Sequence, residues 1–289
     1  MYFRLLGPMT ASHPHGRLQL GRRQERCVLG LLLLEAPRAV TTERLMNLLW
    51  NEEPPAGARA TMHTYVARLR ALLKPHGVRM VTRDGSYAMD VDPGAIDAHR
   101  FSVAAVRAQN LRDPRERADG LAAALRLWHG PLLAHEADDL LRSRIGARLE
   151  EQRLTASELY AEAELACGRH RHLLAALAEL AAQHPTRERL TGLFMLALYR
   201  DERQADALAA YQRTRRMLSS ELGLEPGSDL TLLYKQIITK DPALAAQTPP
   251  RSAVTRTANP LHGGEPGAAR SGNAGYPSAA GTSRRNSRW

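Results

Sequence analysis

Side chains that donate hydrogen bonds share one side of residues 58–73 when this segment is placed on a helical wheel at about 100° per residue. Thr61, Thr64 and Arg68 lie on that side, and the small Ala71 leaves room for a partner to approach. Hydroxyl groups bind base edges or phosphates, and an arginine donates two hydrogen bonds to guanine. The opposite side is apolar and carries Met62, Val66, Leu69 and Leu73, with Tyr65 beside them. This arrangement of side chains is suited to recognition of a nucleic acid. A solvent-exposed amphipathic helix with no such role gives the same distribution on the wheel.

Five further residues extend this group of donors. His63, Arg70 and Lys74 lie on the flank of the same predicted helix, where phosphate contacts are expected rather than base contacts. Arg83 is placed at the tip of a predicted hairpin, from which it would reach into the adjacent minor groove, unless it is an ordinary exposed turn residue. Trp50 ends the preceding predicted helix, and its indole N–H is a candidate phosphate donor, although core packing is the commoner use of a lone tryptophan.

The elements that must position these residues are predicted between residues 41 and 92. Thr41 or Thr42 is a plausible N-cap for a helix with leucines at helical spacing. Pro54, Pro55 and Gly57 then force a loop, and a second helix runs from about residue 58 to 73. Residues 78–82 and 87–91 flank the turn Arg-Asp-Gly-Ser, which favours a hairpin. This order is the winged helix-turn-helix pattern, in which the second helix enters the major groove of DNA.

The rest of the chain is predicted to be mainly helical. Residues 2–6 and 17–20 are predicted as short strands separated by a His/Pro/Gly turn, and residues 22–36 as a helix that Pro37 ends. From Asp97 onward, residues 173–177 match residues 207–211 at a spacing of 34, the tetratricopeptide length, although an Ala/Leu-rich chain produces such matches by chance.

The predicted fold class is therefore mainly α with a small β component. We predict a winged helix-turn-helix domain at residues 1–95, an all-α tetratricopeptide-like helical domain at residues 96–244, and a disordered basic tail at residues 245–289. The tail contains hardly any apolar residues, so it cannot bury enough surface to offset its ordering entropy.

The basic residues are distributed unevenly along the 289 residues, whose formal net charge is +10. Residues 1–95 contain 13 Lys/Arg against 8 Asp/Glu, and residues 245–289 contain 6 against 1, whereas residues 96–244 are balanced at 21 against 21. The excess of positive charge is therefore confined to the segment proposed to bind DNA and to the tail. This distribution is expected of a protein that binds a polyanion.

Other function classes lack support in the sequence. Cys27 and Cys167 are the only cysteines, which are too few and too far apart for a disulfide framework or a zinc site. We find no motif for a metal, a nucleotide or a nucleophile, so we predict no catalytic residue, no metal and no cofactor. The absence of a secretory signal and of a long apolar run predicts a cytoplasmic, nucleoid-associated protein without a membrane partner.

Several separate motifs resemble those of the streptomycete antibiotic regulatory protein (SARP) family, in family order, over roughly residues 1–240. They are FRLLGP at residues 3–8, VARLR at 66–70, the Gly-Ser-Tyr wing at 85–87, DAHRF at 97–101, LWHGP at 127–131, MLALYR at 195–200 and ELGLEPG at 221–227. One departure is Ala67, which stands where OmpR-type relatives often carry another basic residue. The ATPase module of larger family members is also absent from this sequence.

The resemblance implies an activator that joins an OmpR-type winged helix to a bacterial transcriptional activation domain. Such an activator binds direct repeats in double-stranded DNA near promoters of secondary-metabolite clusters, associates with itself on the DNA, and recruits RNA polymerase through its sigma factor and core subunits. By position, Arg68 would contact the major groove, Arg70 and Trp50 the DNA backbone, and Arg83 the minor groove. The loop at residues 51–57 would face the polymerase, with Asn51, Glu52 and Glu53 at its start.

Two other hypotheses remain open from the sequence. The helical repeats could make the chain a protein-interaction scaffold, which predicts no footprint on any DNA. The basic tail could make it a nonspecific DNA-coating protein, whose binding would ignore sequence and fall steeply with salt.

Overall fold

The computed structural model describes residues 1–245, which lie within one compact unit. The described part of the chain contains six strands, β1 (Tyr2–Arg4), β2 (Thr10–His13), β3 (Gly16–Leu18), β4 (Val40–Thr41), β5 (Arg79–Arg83) and β6 (Ser86–Asp90). The ten α-helices of these residues are α1 (Arg23–Glu35), α2 (Thr42–Leu49), α3 (Ala58–Leu73), α4 (Asp97–Gln109), α5 (Pro114–Leu125), α6 (Asp139–Ala166), α7 (Leu174–Gln183), α8 (Glu188–Arg200), α9 (Gln204–Met217) and α10 (Ser228–Thr239). The predicted disordered tail falls almost entirely outside the described residues.

The N-terminal sheet has three antiparallel strands in the order β1-β2-β3, with Phe3 opposite Ala11. The sequence prediction gave two strands separated by a His/Pro/Gly turn and missed β2, although the turn itself is present. Only Pro14 and His15 form the connection, since His13 already pairs with Gly16. Alternation explains the strand, because Ala11 is fully buried while its neighbours Thr10 and Ser12 are half-buried.

The second sheet has the order β4-β6-β5 and contains the predicted hairpin. Arg83 pairs with Ser86, so the turn consists of Asp84 and Gly85 alone. Both turn residues have left-handed backbones, at φ 45° and 72°, as a type I′ turn requires. The Asp-Gly pair therefore sets the register of the wing.

Helices α2 and α3 begin where their capping residues predict. The Thr41 hydroxyl accepts the Arg44 N–H at 3.1 Å and so satisfies one free donor at the start of α2. Gly57 precedes α3 with φ 85°, a left-handed conformation that costs glycine least. The four predicted apolar residues of α3 are at most 2% exposed and join the core that α1 and the hairpin complete.

The helical domain begins with α4, α5 and α6 and continues with the predicted repeat. Leu173, directly before α7, and Leu177 within it correspond to Ala207 and Tyr211 of α9 at the 34-residue spacing, and all four are buried. Helices α8 and α10 pack beside α7 and α9, so each copy is a pair of helices. No helix within residues 1–245 is long and apolar enough to cross a lipid bilayer.

One side chain joins the N-terminal sheet to the helical domain. The Asp97 carboxylate, 1% exposed at the start of α4, accepts the Leu5 N–H at 2.8 Å and the Leu6 N–H at 3.0 Å. Burial raises the pKa of Asp97 even though these N–H groups and Arg4 favour the charged form. The hydrophobic core is continuous across this junction, from Phe3 to Phe101. The division of domains at residue 95/96 stays a prediction.

Candidate nucleic-acid interface

The face of α3 that turns away from the core is open to solvent. Thr64, Arg68 and Lys74 are exposed on or at the end of this helix, and Thr61 is half-buried. The intervening Ala67 and Ala71 are also exposed, so no bulky side chain stands between these donors and an approaching duplex. The Thr64 hydroxyl donates to the Ala60 carbonyl at 3.0 Å, which leaves its oxygen as the group that can accept a hydrogen bond from a base.

The side chain of Arg68 is 54% exposed, but an ion pair restrains it. Its Nη1 donates to Oε1 of Glu25, a carboxylate on α1 that is 8% exposed, at 2.8 Å. Burial alone would raise the pKa of Glu25, but hydrogen bonds from Arg68 and the Arg22 N–H outweigh it, and the pKa is lowered. Glu25 is therefore ionised at neutral pH, and it holds the guanidinium in place beside the exposed face.

Arg70 and His63 connect α3 to the hairpin instead of pointing freely into solvent. The Arg70 Nε donates to the Met80 carbonyl at 3.1 Å and its Nη2 donates to the Thr82 hydroxyl, while the guanidinium carbon lies 5.9 Å from the Tyr87 ring centre. The His63 Nδ1 lies 2.8 Å from the Tyr87 hydroxyl, so the two share a hydrogen bond. Both residues hold the wing at a fixed position relative to α3.

Arg83, Lys74 and Trp50 mark the edges of this surface. Arg83 is the last residue of β5 and is exposed beside the turn, and Lys74 directly follows α3. Trp50 caps the C-terminal end of α2 and is half-buried against the core. This position fits a role in core packing better than a role as a phosphate donor. The surface thus consists of the exposed side of α3, the hairpin tip and the end of α2.

Sequence reasoning missed two residues of this surface. Arg59 lies in the first turn of α3, where recognition helices contact base edges, and its guanidinium pairs with Glu43 of α2. Its position near the start of the helix was the signal that could have found it. Glu25 gave no such signal, because the contact with Arg68 joins residues 43 positions apart.

The loop that precedes α3 is exposed from Asn51 to Gly57. Asn51 and Glu52 both have left-handed backbones, at φ 50° and 66°, which turn the chain sharply after α2. The Glu52 carboxylate pairs with Arg144 of α6, so the loop is attached to the helical domain, and Glu53 stays exposed.

The described residues contain no group of three or more His, Cys, Asp or Glu side chains that is arranged to hold a metal ion. Burial raises the pKa of the Cys27 thiol to about 12, which keeps it protonated and unreactive at neutral pH. The expectation that the chain carries no cofactor or catalytic residue stays a prediction.

Two protein-family models match the chain in the order of its domains. The model described as "Transcriptional regulatory protein, C terminal" matches residues 17–86, and "Bacterial transcriptional activator domain" matches residues 96–238. A curated relative, the regulatory protein DnrI of Streptomyces peucetius, is 37% identical over 265 residues, which cover 86% of this chain and 96% of DnrI. The chain belongs to the SARP family. This confirms the predicted class of protein, a SARP-type transcriptional activator with a winged helix followed by a helical activation domain.

Other relatives of this SARP are longer proteins. The regulatory protein AfsR of Streptomyces coelicolor is 41% identical over 84% of the chain, but the match covers only 25% of AfsR. The solved structure of Mycobacterium tuberculosis EmbR in complex with a low-affinity phosphopeptide has a TM-score of 0.74 and 34% identity, and covers 83% of this SARP and 65% of EmbR. The SARP thus spans nearly all of one relative and a quarter of another.

Proposed function

We propose that this SARP binds direct repeats near promoters through α3 and the hairpin, and that two copies lie side by side on the DNA. The observation that carries the proposal is the exposed strip of α3, with donors on one side and a fully buried apolar stripe on the other. The wing supports it, since the hydrogen bond that Arg70 donates to Met80 and the one shared by His63 and Tyr87 fix the hairpin beside that strip.

The proposed targets are promoters of a secondary-metabolite gene cluster. Genome-wide mapping of bound DNA followed by footprinting of the strongest promoter tests this, and two adjacent protected repeats are expected. A scaffold protein would leave no footprint. A nonspecific DNA-coating protein would protect all sequences equally and lose binding steeply with salt, whereas a specific site keeps a preference of roughly 10³-fold or more.

Arg83→Ala is expected to weaken binding to operator and random DNA by a similar factor, roughly tenfold at low salt. The exposed guanidinium at the hairpin tip would lie in the minor groove between the two phosphate backbones. Its removal should therefore reduce the magnitude of the slope of log K against log salt by about 1. Gel shifts over a salt series measure this slope. Arg216→Ala, an exposed arginine on α9, serves as the charge-matched control. An unchanged slope in the Arg83 variant would remove the wing from the interface.

We further propose that residues 51–57 face RNA polymerase and contact its sigma factor or core subunits. Glu52 and Glu53 make the exposed loop acidic, and the pairing of Glu52 with Arg144 connects it to the activation domain. A loop attached at one end and exposed at the other presents a defined surface to a partner already bound at the promoter.

The double variant Glu52→Gln, Glu53→Gln is expected to reduce promoter-dependent transcription several-fold in a purified system without reducing operator affinity. It removes the acidic charge of the loop but leaves α3 unchanged. Glu179→Gln on α7 controls for loss of a surface carboxylate. If transcription falls only in proportion to a loss of DNA binding, the loop has no separate contact with polymerase.

A further inference from the structure

A cleft of about 590 Å³ lies between elements of the winged-helix domain and elements of the helical domain. One wall consists of the C-terminal half of α1, the segment that follows it and α2, and the other consists of the start of α4 and the first half of α6. Neither α3 nor the β5–β6 hairpin contributes a lining residue, so the cleft is distinct from the proposed DNA-binding surface. Its volume falls within the range of about 300–1,000 Å³ that small-molecule sites occupy, and domain boundaries are a common place for such sites.

The walls of this cleft supply apolar surface from both domains. Leu31, Val40 and Leu149 are buried at 3%, 3% and 8% exposure and line it together with the half-buried Leu34 and Ile145. These side chains would contact an apolar ring or chain inserted between the domains. Water held against such surface is released when an apolar group replaces it, which favours binding.

Four arginines line the same cleft against one carboxylate, that of Glu35. Arg44 pairs with Glu35 at 3.2 Å, and Arg144 pairs with Glu52. Arg38 and Arg148 have no carboxylate within 4.0 Å among the described residues. Arg38 belongs to one wall of the cleft and Arg148 to the other.

This arrangement has an uncompensated positive charge next to an apolar surface. Arg38 and Arg148 are exposed at the cleft, so an anion bound against its apolar walls would gain a favourable interaction with each of them. Guanidinium groups match carboxylate and phosphate oxygens through paired N–H donors, so these are the anions the cleft is suited to bind. An inorganic ion would leave the apolar walls unfilled, and a neutral apolar molecule would leave Arg38 and Arg148 unpaired.

We propose that the cleft binds a small organic anion in which an apolar ring or chain carries a carboxylate or a phosphate. The apolar part lies between α1 and α6, and the anionic group contacts Arg38 from the winged-helix domain and Arg148 from the helical domain. The ligand therefore contacts both domains at once, and it raises the stability of the folded chain with the logarithm of its concentration above Kd. The proposal does not depend on the DNA contacts of α3.

Calorimetric titration of the full chain tests this with 1-naphthyl phosphate and 1-naphthoate as probes, which separate the two anionic groups. Neutral 1-naphthalenemethanol and inorganic phosphate are the matched controls for the apolar and the charged part alone. We expect at least one aryl anion to bind with 1:1 stoichiometry and about tenfold or more tightly than either control. The tighter aryl anion identifies the preferred head group.

Two variants locate the binding site. Arg38→Gln with Arg148→Gln is expected to weaken the aryl anion about tenfold or more, while Arg107→Gln with Arg115→Gln, two exposed arginines outside the cleft, leaves binding unchanged. Ala147→Trp fills the cleft from an exposed position on α6 without altering charge, and it should weaken binding equally. Melting of each variant without ligand verifies its fold. Failure of both aryl anions to bind, equal binding of the neutral alcohol, or unchanged affinity in the Arg38/Arg148 and Ala147 variants would overturn the proposal.

Discussion

Arg68→Ala is expected to lower affinity for the operator by roughly tenfold to a hundredfold and affinity for random DNA by a clearly smaller factor, since the loss of one positive charge weakens all DNA binding. The guanidinium lies on the exposed side of α3, where a bidentate contact to guanine discriminates between bases and a phosphate contact does not. Competition gel shifts at one fixed salt concentration, with operator and random duplexes of equal length, measure the two affinities separately.

Glu25 provides a second variant that sharpens this test. Its carboxylate holds the Nη1 of Arg68, so the side chain is already ordered before DNA arrives and loses less entropy on binding. Glu25→Gln keeps the side-chain shape but removes a negative charge near the duplex. We expect higher affinity for all DNA, because repulsion of phosphates falls, together with a smaller preference for the operator.

Two results for Arg68→Ala would contradict a contact between Arg68 and a base. If Arg68→Ala weakens operator and random DNA by the same factor, Arg68 contacts a phosphate, and discrimination must come from Thr61, Thr64 or Arg59. If neither affinity changes, the ion pair with Glu25 is the whole role of Arg68. Arg59→Ala is the natural companion variant, because Arg59 lies at the end of α3 that usually enters the groove first.

The parts of the fold that follow from local patterns were predictable from the sequence. The apolar spacing of α3 predicted its buried stripe, Thr41 predicted the start of α2, and the Asp-Gly pair predicted the turn of the wing. Each signal depends on residues within one or two helical turns, so periodicity and capping chemistry are sufficient to read it. The same reading found the turn at Pro14 but missed β2, because the strand Thr10–His13 carries only one apolar side chain.

The contacts that determine how the candidate site is presented were not predictable in this way. Arg68 meets Glu25 across 43 positions, Arg70 meets the hairpin, and Glu52 meets Arg144 across 92. Each of these contacts joins a charged residue on one element to a partner on another. With 40 basic and 30 acidic residues in the chain, charge alone does not predict which two residues will meet. Arg70 shows the consequence, because a residue predicted to contact phosphate also uses two of its donors to position the wing.

Asp97→Ala is expected to lower the free energy of unfolding by about 3–5 kcal/mol, the largest stability effect we predict for a single residue. The substitution leaves the backbone N–H groups of Leu5 and Leu6 buried without an acceptor, and each unsatisfied group costs about 1–3 kcal/mol. Relief of the buried charge offsets part of this loss. For a unit of this size the melting temperature should fall by roughly 10 °C, which calorimetry or circular dichroism can measure.

Asp97→Asn separates the hydrogen bonds from the charge. An amide offers one acceptor oxygen where the carboxylate offers two, so one N–H keeps its partner and the other faces an NH2 group. Since burial raises the pKa of Asp97, the charged form is held at a cost that asparagine removes, and the loss should be less than half that of alanine. Ser102→Ala, at a half-buried α4 side chain away from the N-terminal sheet, should cost far less than either. If asparagine and alanine destabilise equally, the charge and not the pair of acceptors joins the sheet to α4.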